Sequence, residues 1–107
     1  MGNKGDKMRY ASVEANLLLL ERLAVLDLTS KKMFGGHGIF YDGKMIGLID
    51  SKGKAFLKAD ESTVLKYHDA GSEKHSRMPY YSIPEKILND VDQLLIWARE
   101  SIEVSKK

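Results

Sequence analysis

The stretch Lys31–Asp60 constrains the fold most, because it holds most of the glycines of the chain between short apolar runs. Asp42-Gly43 is typical of a two-residue hairpin turn, since such a turn needs positive φ at its centre and Asp-Gly tolerates that conformation well. Lys52-Gly53 predicts a second turn of the same kind, and Gly35-Gly36 is a candidate for a third. We therefore predict a meander of antiparallel strands over this stretch.

When the strands are paired outward from the two turns, Ile39 lies opposite Ile46 and Phe56 lies opposite Ile49. Side chains alternate between the two faces along each strand, which divides the residues of the meander into two sets. One face, the predicted core, carries Ile39, Tyr41, Ile46, Leu48, Leu57 and Ala59. The other carries Gly38, Phe40, Met45, Gly47, Ile49, Phe56 and Lys58. A slip of one residue at either turn would exchange these sets.

The second face is too apolar for a surface left open to water. On it, we predict that Phe40, Met45, Ile49 and Phe56 lie together as a candidate interaction face. Either the terminal helix of the chain or another molecule would cover them. We favour a second copy or another protein, because closed twofold dimers are the commonest solution for a small domain with one such patch.

Helical periodicity dominates the chain before the meander. Ser12 suits the N-cap of a helix that runs to about Asp27. Its apolar positions are Val13, Leu17, Leu20 and Ala24, joined by Leu19, Leu23 and Leu26. The spacing would also suit a short leucine zipper, but at most two heptads are available, which favours packing against the sheet.

After the meander, Asp60 is predicted to cap a second helix that ends at Gly71. Prolines bracket the segment 80–83, which predicts a short strand at or near a sheet edge. Asp90 and Gln93 have capping-box spacing and open a last helix.

The resulting fold class is α+β: a two-layer sandwich with helices on an antiparallel sheet of about five strands, in the order α-β(3-4)-α-β-α. Residues 1–11 are expected to form a flexible tail and residues 12–105 a single domain. The predicted core includes Leu20, Leu48, Leu57 and Leu95.

Composition removes several function classes. The 107 residues include no cysteine, which excludes disulfides, thiolate catalysis and cysteine-based zinc sites. No apolar run has the length of a bilayer span and the N-terminus lacks the apolar core of a signal peptide, so we expect a cytoplasmic protein. The sequence pI of about 8.8 comes from the chain ends, because residues 12–101 hold 12 basic and 13 acidic side chains.

Nucleic-acid binding is the alternative function. Lys54 and Lys58 flank Phe56 on one strand face, and together with the basic tails they would form a weak binding surface. A nucleic-acid reader normally carries a basic face on its folded body, however, and the near-neutral charge of residues 12–101 does not favour one. Lysines on a solvated strand edge explain the pattern more simply.

No catalytic residue, metal ligand or cofactor is predicted. The cluster Gly35-Gly36-His37-Gly38 lacks the Gly-Lys-Ser/Thr ending of a phosphate-binding loop and better fits a turn or bulge. The three histidines have no metal-ligand spacing. His37 would act as a general base only if a nucleophile or a substrate pocket faced it.

A family resemblance rests on several separated motifs that agree in order: Met33-Phe34-Gly35-Gly36-His37-Gly38-Ile39-Phe40, Asp42-Gly43, Leu57-Lys58-Ala59-Asp60, Gly71-Ser72, Met78-Pro79-Tyr80-Tyr81, Ile83-Pro84-Glu85 and Trp97-Ala98. Over about residues 13–103 the chain resembles the N-terminal domain of the TfoX/Sxy family of competence regulators. In this resemblance Gly35, Gly36, Gly38, Asp42 and Gly43 are residues that shape the fold.

The resemblance implies a two-layer α+β domain and a non-enzymatic role in the regulation of natural competence in bacteria. Full-length members are coactivators that work with the cyclic-AMP receptor protein, and they carry a second, helical C-terminal domain. This sequence stops after the last helix of the first domain. We therefore do not expect the chain alone to engage the cyclic-AMP receptor protein or RNA polymerase, and we expect a protein partner or a homodimer instead.

Overall fold

The computed structural model describes residues 4–33 and 35–107, with side chains from Ala11 onward. Within these residues, five antiparallel strands form one sheet in chain order. The strands are β1 (Thr29–Met33), β2 (Gly36–Tyr41), β3 (Lys44–Ile49), β4 (Ala55–Lys58) and β5 (Tyr80–Ser82). The helices are α1 (Lys4–Arg22), α2 (Val64–Asp69), α3 (Glu85–Leu88) and α4 (Val91–Ser105), with a 3-10 turn at Ala24–Leu26. The predicted α+β class is confirmed.

The β2–β3 hairpin turns at the predicted place. Asp42 and Gly43 have φ of 51° and 79°, the positive values that a two-residue hairpin turn requires. Phe40 pairs with Met45 as predicted, but the next pair is Ile39 with Gly47. Ile46 is therefore the extra residue of a β-bulge. The predicted pair of Ile39 with Ile46 is wrong, and the residues of β3 beyond the bulge change faces.

The β3–β4 connection also differs from the predicted two-residue turn. Three residues, 51–53, form the loop, with Gly53 at φ 89°, and the Asp50 carboxylate accepts hydrogen bonds from the amides of Lys52 and Lys54 at 2.9 Å each. This longer loop shifts the register by one residue. Ile49 consequently pairs with Ala55, and Phe56 with Leu48 instead of Ile49.

One sheet face carries α1 and α4 and contains the main core. Its fully buried residues come from both helices and three strands and include Leu19, Leu23, Ile39, Ile46, Ile49, Leu57, Leu94 and Ala98. Of the four predicted core leucines, Leu57 is confirmed, while Leu20 and Leu95 are only half-buried. Leu48 is buried, but against the opposite face of the sheet.

The first helix starts earlier and ends earlier than predicted. It runs from Lys4 to Arg22, so Ser12 lies inside the helix and is not its N-cap. Of the predicted tail, residues 1–3 lie outside the described residues and residues 4–11 are helical; the domain boundary at residue 12 stays a prediction. The 3-10 turn that follows ends at Asp27, which has φ of 55°.

The later elements largely follow the local signals. The Asp60 carboxylate accepts from the amide of Ser62 at 2.9 Å and starts a turn, although α2 itself begins only at Val64. β5 lies at the sheet edge, as predicted. The Asp90 carboxylate accepts from the amide of Gln93 at 3.2 Å, which confirms the cap of α4. Among the described residues, no helix is long and apolar enough to cross a membrane.

Candidate functional site

The sheet face opposite α1 and α4, called the outer face here, is partly covered by the chain itself. Leu48, Phe56 and Tyr80 are buried there, with Met45 and Met78 packed against them. The cover is the segment 73–79, which folds back along β5: the amide of His75 donates to the carbonyl of Tyr80 at 2.8 Å. The ring of His75 meets the ring of Phe56 edge-on at a centroid distance of 4.9 Å.

The predicted interaction face does not assemble as a unit. Phe40 and Met45 lie half-buried on the outer face, and Phe56 lies there beneath His75 with only 4% of its surface exposed. Ile49 was predicted to join them, which is wrong, because the bulge at Ile46 turns it into the helix-side core. Leu48 takes the place of Ile49 on the outer face.

The surface predicted for nucleic acid is also altered by the segment 73–79. Lys54 forms an ion pair with Glu73, which lies in that segment. Phe56, the ring that would stack on a base, is buried, and Lys58 is half-buried. A stacking platform needs an open aromatic face beside free cations. These three residues do not provide one.

The glycine motif serves the backbone. Gly35 lies in the turn between β1 and β2 with φ of 75°, and Gly38 is buried in β2. A Cβ atom added to Gly36 would lie 1.9 Å from the carbonyl oxygen of Ile49, so that no larger residue fits without moving β3. The motif brings two strands close together and leaves His37 pointing at α1.

A cleft of about 430 Å³ opens between α1 and the β1–β2 end of the sheet. Its lining residues are Ser12, Val13, Lys32, Met33, Gly35, Gly36 and His37. The Ser12 hydroxyl lies 2.9 Å from Nδ1 of His37. Burial, and secondarily the charge of Lys32, lowers the pKa of His37 below its usual 6.5, so the imidazole is neutral at neutral pH.

A serine beside a neutral histidine is the arrangement of a nucleophile and its base. Ser12, however, is 2% exposed and His37 is 7% exposed, so the pair lies within the contact between α1 and the sheet. The hydrogen bond between these two side chains links α1 to β2. Sequence reasoning had no signal for it, because 25 residues separate its members.

The surface of α1 is the least expected feature of the molecule. Its sheet-facing residues include the polar Ser12 and Asn16, and Asn16 donates through Nδ2 to the Ser30 hydroxyl at 3.0 Å. Val13 and Leu17, by contrast, are 38% and 61% exposed. Together with the half-buried Leu20 and the exposed Ala24 that follows the helix, they form what we call the α1 stripe.

At 100° per residue, the α1 stripe lies on the flank of the helix that faces the β1 side of the sheet. Lys32 of β1 lines the same cleft as Val13, which places a cation at this border. Glu14 and Glu21 are exposed and lie seven residues apart, so they form an acidic row along the solvent side of the stripe. The stripe is thus apolar at its centre, basic along one border and acidic along the other.

Family comparison covers most of this structure. The model of the TfoX N-terminal domain matches residues 19–105. The chain belongs to the TfoX N-terminal domain family. No curated protein matches the chain. The match begins inside α1, so the sheet and helices α2 to α4 lie within the TfoX region, whereas Ser12, Val13, Asn16 and Leu17 precede it.

Proposed function

We propose that this TfoX-type domain is a non-enzymatic regulatory module that acts by binding another protein through the α1 stripe. The observation that carries the proposal is the exposure of Val13 and Leu17 on a helix that buries Ser12 and Asn16. An apolar stripe bordered by charged residues is the usual composition of a protein interaction surface. We therefore assign the interaction to the α1 stripe and not to the outer face, whose apolar residues are largely covered by the segment 73–79.

The neighbouring strand supports this assignment. β1 is one of the two edge strands of the sheet, so one side of its backbone has no partner strand within the described residues. Edge strands next to an apolar helix surface are natural docking places for a second molecule. Lys31 and Lys32 are exposed on β1 and would favour a partner that brings acidic side chains to this edge.

A regulatory role in natural competence is the finer part of the proposal, and the membership in the TfoX N-terminal family supports it. The contribution of the domain would be to hold a protein partner. We do not propose direct nucleic-acid binding as a second function, because Lys54 is ion-paired to Glu73 and Phe56 is buried.

The test is crosslinking-assisted capture from extract of the native cell with three baits: the unaltered chain, Leu17→Glu and Leu65→Glu. Leu65 on α2 is the matched control, since it is 69% exposed and Leu17 is 61% exposed. We expect the unaltered chain and Leu65→Glu to retain the same protein at a fixed ratio and Leu17→Glu to lose it. Equal retention of that protein by all three baits would contradict the proposal.

A further inference from the structure

We infer that the partner of the α1 stripe is a second copy of this chain, in a twofold dimer that sets the two α1 helices side by side and nearly parallel, each over β1 of the other copy. This inference rests on the proposed function and names its partner. The surface is distinct from the outer face on which the sequence placed an interaction.

The spacing of the α1 stripe fits a helix pair. Its helical positions 13, 17 and 20 follow one another at intervals of four and three residues, which is the spacing of the contact positions of two packed helices. Leu17 lies in the middle of this short seam and is its most exposed helical member. A copy of the same seam offers the matching apolar surface along the same length.

The charged residues that border the α1 stripe favour a second copy of the chain as the partner and also favour one orientation of that copy. The stripe has an acidic border, Glu14 and Glu21, and a basic border that includes Lys32, so it is complementary to itself. A twofold axis perpendicular to both helices would place the two acidic rows together. An axis that runs along the helices exchanges the borders and brings Glu14 of each copy, which is level with Val13 and the cleft, towards the partner's Lys32.

The cleft provides room for this arrangement. α1 packs mainly on β2 and β3, so the helix-side face of β1 extends beyond it and forms part of the cleft of about 430 Å³. The α1 helix of a second copy would enter from this side and cover Val13, Leu17 and Lys32. A standard stable interface buries about 800 Å² per partner, and this surface is a modest part of a small domain, so we expect a weak, micromolar dimer.

Sedimentation velocity of the full chain over a concentration series tests the dimer. We expect the unaltered chain and Leu65→Glu to convert from monomer to dimer with rising concentration, while Leu17→Glu stays monomeric. Circular dichroism checks that each variant is folded, and Leu17→Gln is the milder variant if Leu17→Glu fails to fold. A chain that stays monomeric throughout overturns the inference, and so does a dimer that tolerates both substitutions of Leu17.

Charge reversal tests the orientation. We expect Glu14→Lys and Lys32→Glu each to raise the dimer Kd by about threefold to tenfold, and the double variant to recover most of the loss at low salt. Failure of the double variant to recover overturns the near-parallel arrangement. If the unaltered chain is monomeric but Leu17→Glu still loses a captured protein, the dimer is disproved while the proposed function stands. If there is neither a dimer nor a captured protein, both are disproved.

Discussion

α1 and α4 lie on the same face of the same sheet, yet they use their residues in opposite ways. α4 turns Leu94, Trp97, Ala98 and Ile102 into the core. Its one buried hydroxyl, of Ser101, donates to the carbonyl of Lys58 at 2.8 Å. α1 also buries Leu19, but one turn and two turns before this residue it places Asn16 and Ser12 against the sheet while Leu17 faces out.

Burying polar groups is costly unless every one of them finds a partner. Ser12 and Asn16 have partners on the sheet, but Oδ1 of Asn16 is buried without one. A helix that served stability alone would gain from facing Leu17 inward and Asn16 outward. The two helices therefore differ in that α4 gives the core mainly apolar residues, whereas the first part of α1 buries polar residues and leaves apolar ones exposed.

The largest expected effect on the free energy of unfolding is that of a substitution at Trp97 of α4. Its ring packs edge-on against Tyr67 at a centroid distance of 4.7 Å, and Nζ of Lys66 lies 4.2 Å from the ring centroid. We expect Trp97→Ala to lower the free energy of unfolding by about 3–5 kcal/mol. The neighbouring Ile96→Ala, at a position 48% exposed, should change it by about 0.5 kcal/mol or less. Urea denaturation of both variants measures the contrast, and equal losses would contradict the role given to α4.

Local signals predicted the strands, the Asp90 cap of α4 and the edge position of β5, because turn and capping chemistry depends on neighbouring residues. The predicted caps at Ser12 and Asp60 are wrong, since Ser12 lies inside α1 and the N-cap of α2 is Thr63. The register required finer information. The bulge at Ile46 and the three-residue loop before Lys54 each shift the pairing by one residue. The two shifts cancel in β4, so the sequence pattern placed Leu57 and Phe56 on the correct faces. Leu48 and Ile49 lie in β3 between the bulge and the loop, and each was therefore assigned to the wrong face.

The candidate site was harder to predict because its contacts are distant in sequence. Helical spacing identified Val13, Leu17 and Leu20 as one stripe, but periodicity does not tell whether a stripe faces the sheet or the solvent. The choice depends on Ser12 meeting His37 and on Asn16 meeting Ser30, which only the folded chain brings together. The cover of the outer face comes from a polar loop that carries no hydrophobic pattern.

A smaller effect, on the pH dependence of the free energy of unfolding, is expected from His37, which lies beneath α1. The pKa of His37 is lowered by burial and by Lys32, so between the folded pKa and 6.5 the unfolded chain binds more protons. Protonation of His37 therefore leaves the free energy of unfolding unchanged above about pH 6.5 and lowers it as the pH falls below that value. One proton limits the slope to about 1.4 kcal/mol per pH unit. The Asp60 carboxyl, with a pKa lowered to about 2, acts only in a more acidic range.

Urea denaturation between about pH 7.5 and pH 5 measures this slope. We expect His37→Gln to remove it and His68→Gln, at an exposed position, to leave it unchanged. A slope that survives in His37→Gln would assign the titration to another group and weaken the contrast between the two helices.

The smallest expected effect on stability is that of a substitution at Leu17, which we compare with the same substitution at Leu23, directly after α1. Leu17→Ala, measured where the protein is monomeric, should change the free energy of unfolding by about 0.5 kcal/mol or less, since the side chain is 61% exposed. Leu23→Ala removes the same atoms from a site with 0% exposure and should cost about 2–5 kcal/mol. At high concentration, binding of a second copy to the folded state should raise the Tm of the unaltered chain and leave that of Leu17→Ala nearly constant. A large loss in the monomer would instead assign Leu17 to the core of the domain and remove the α1 stripe as a surface for contact.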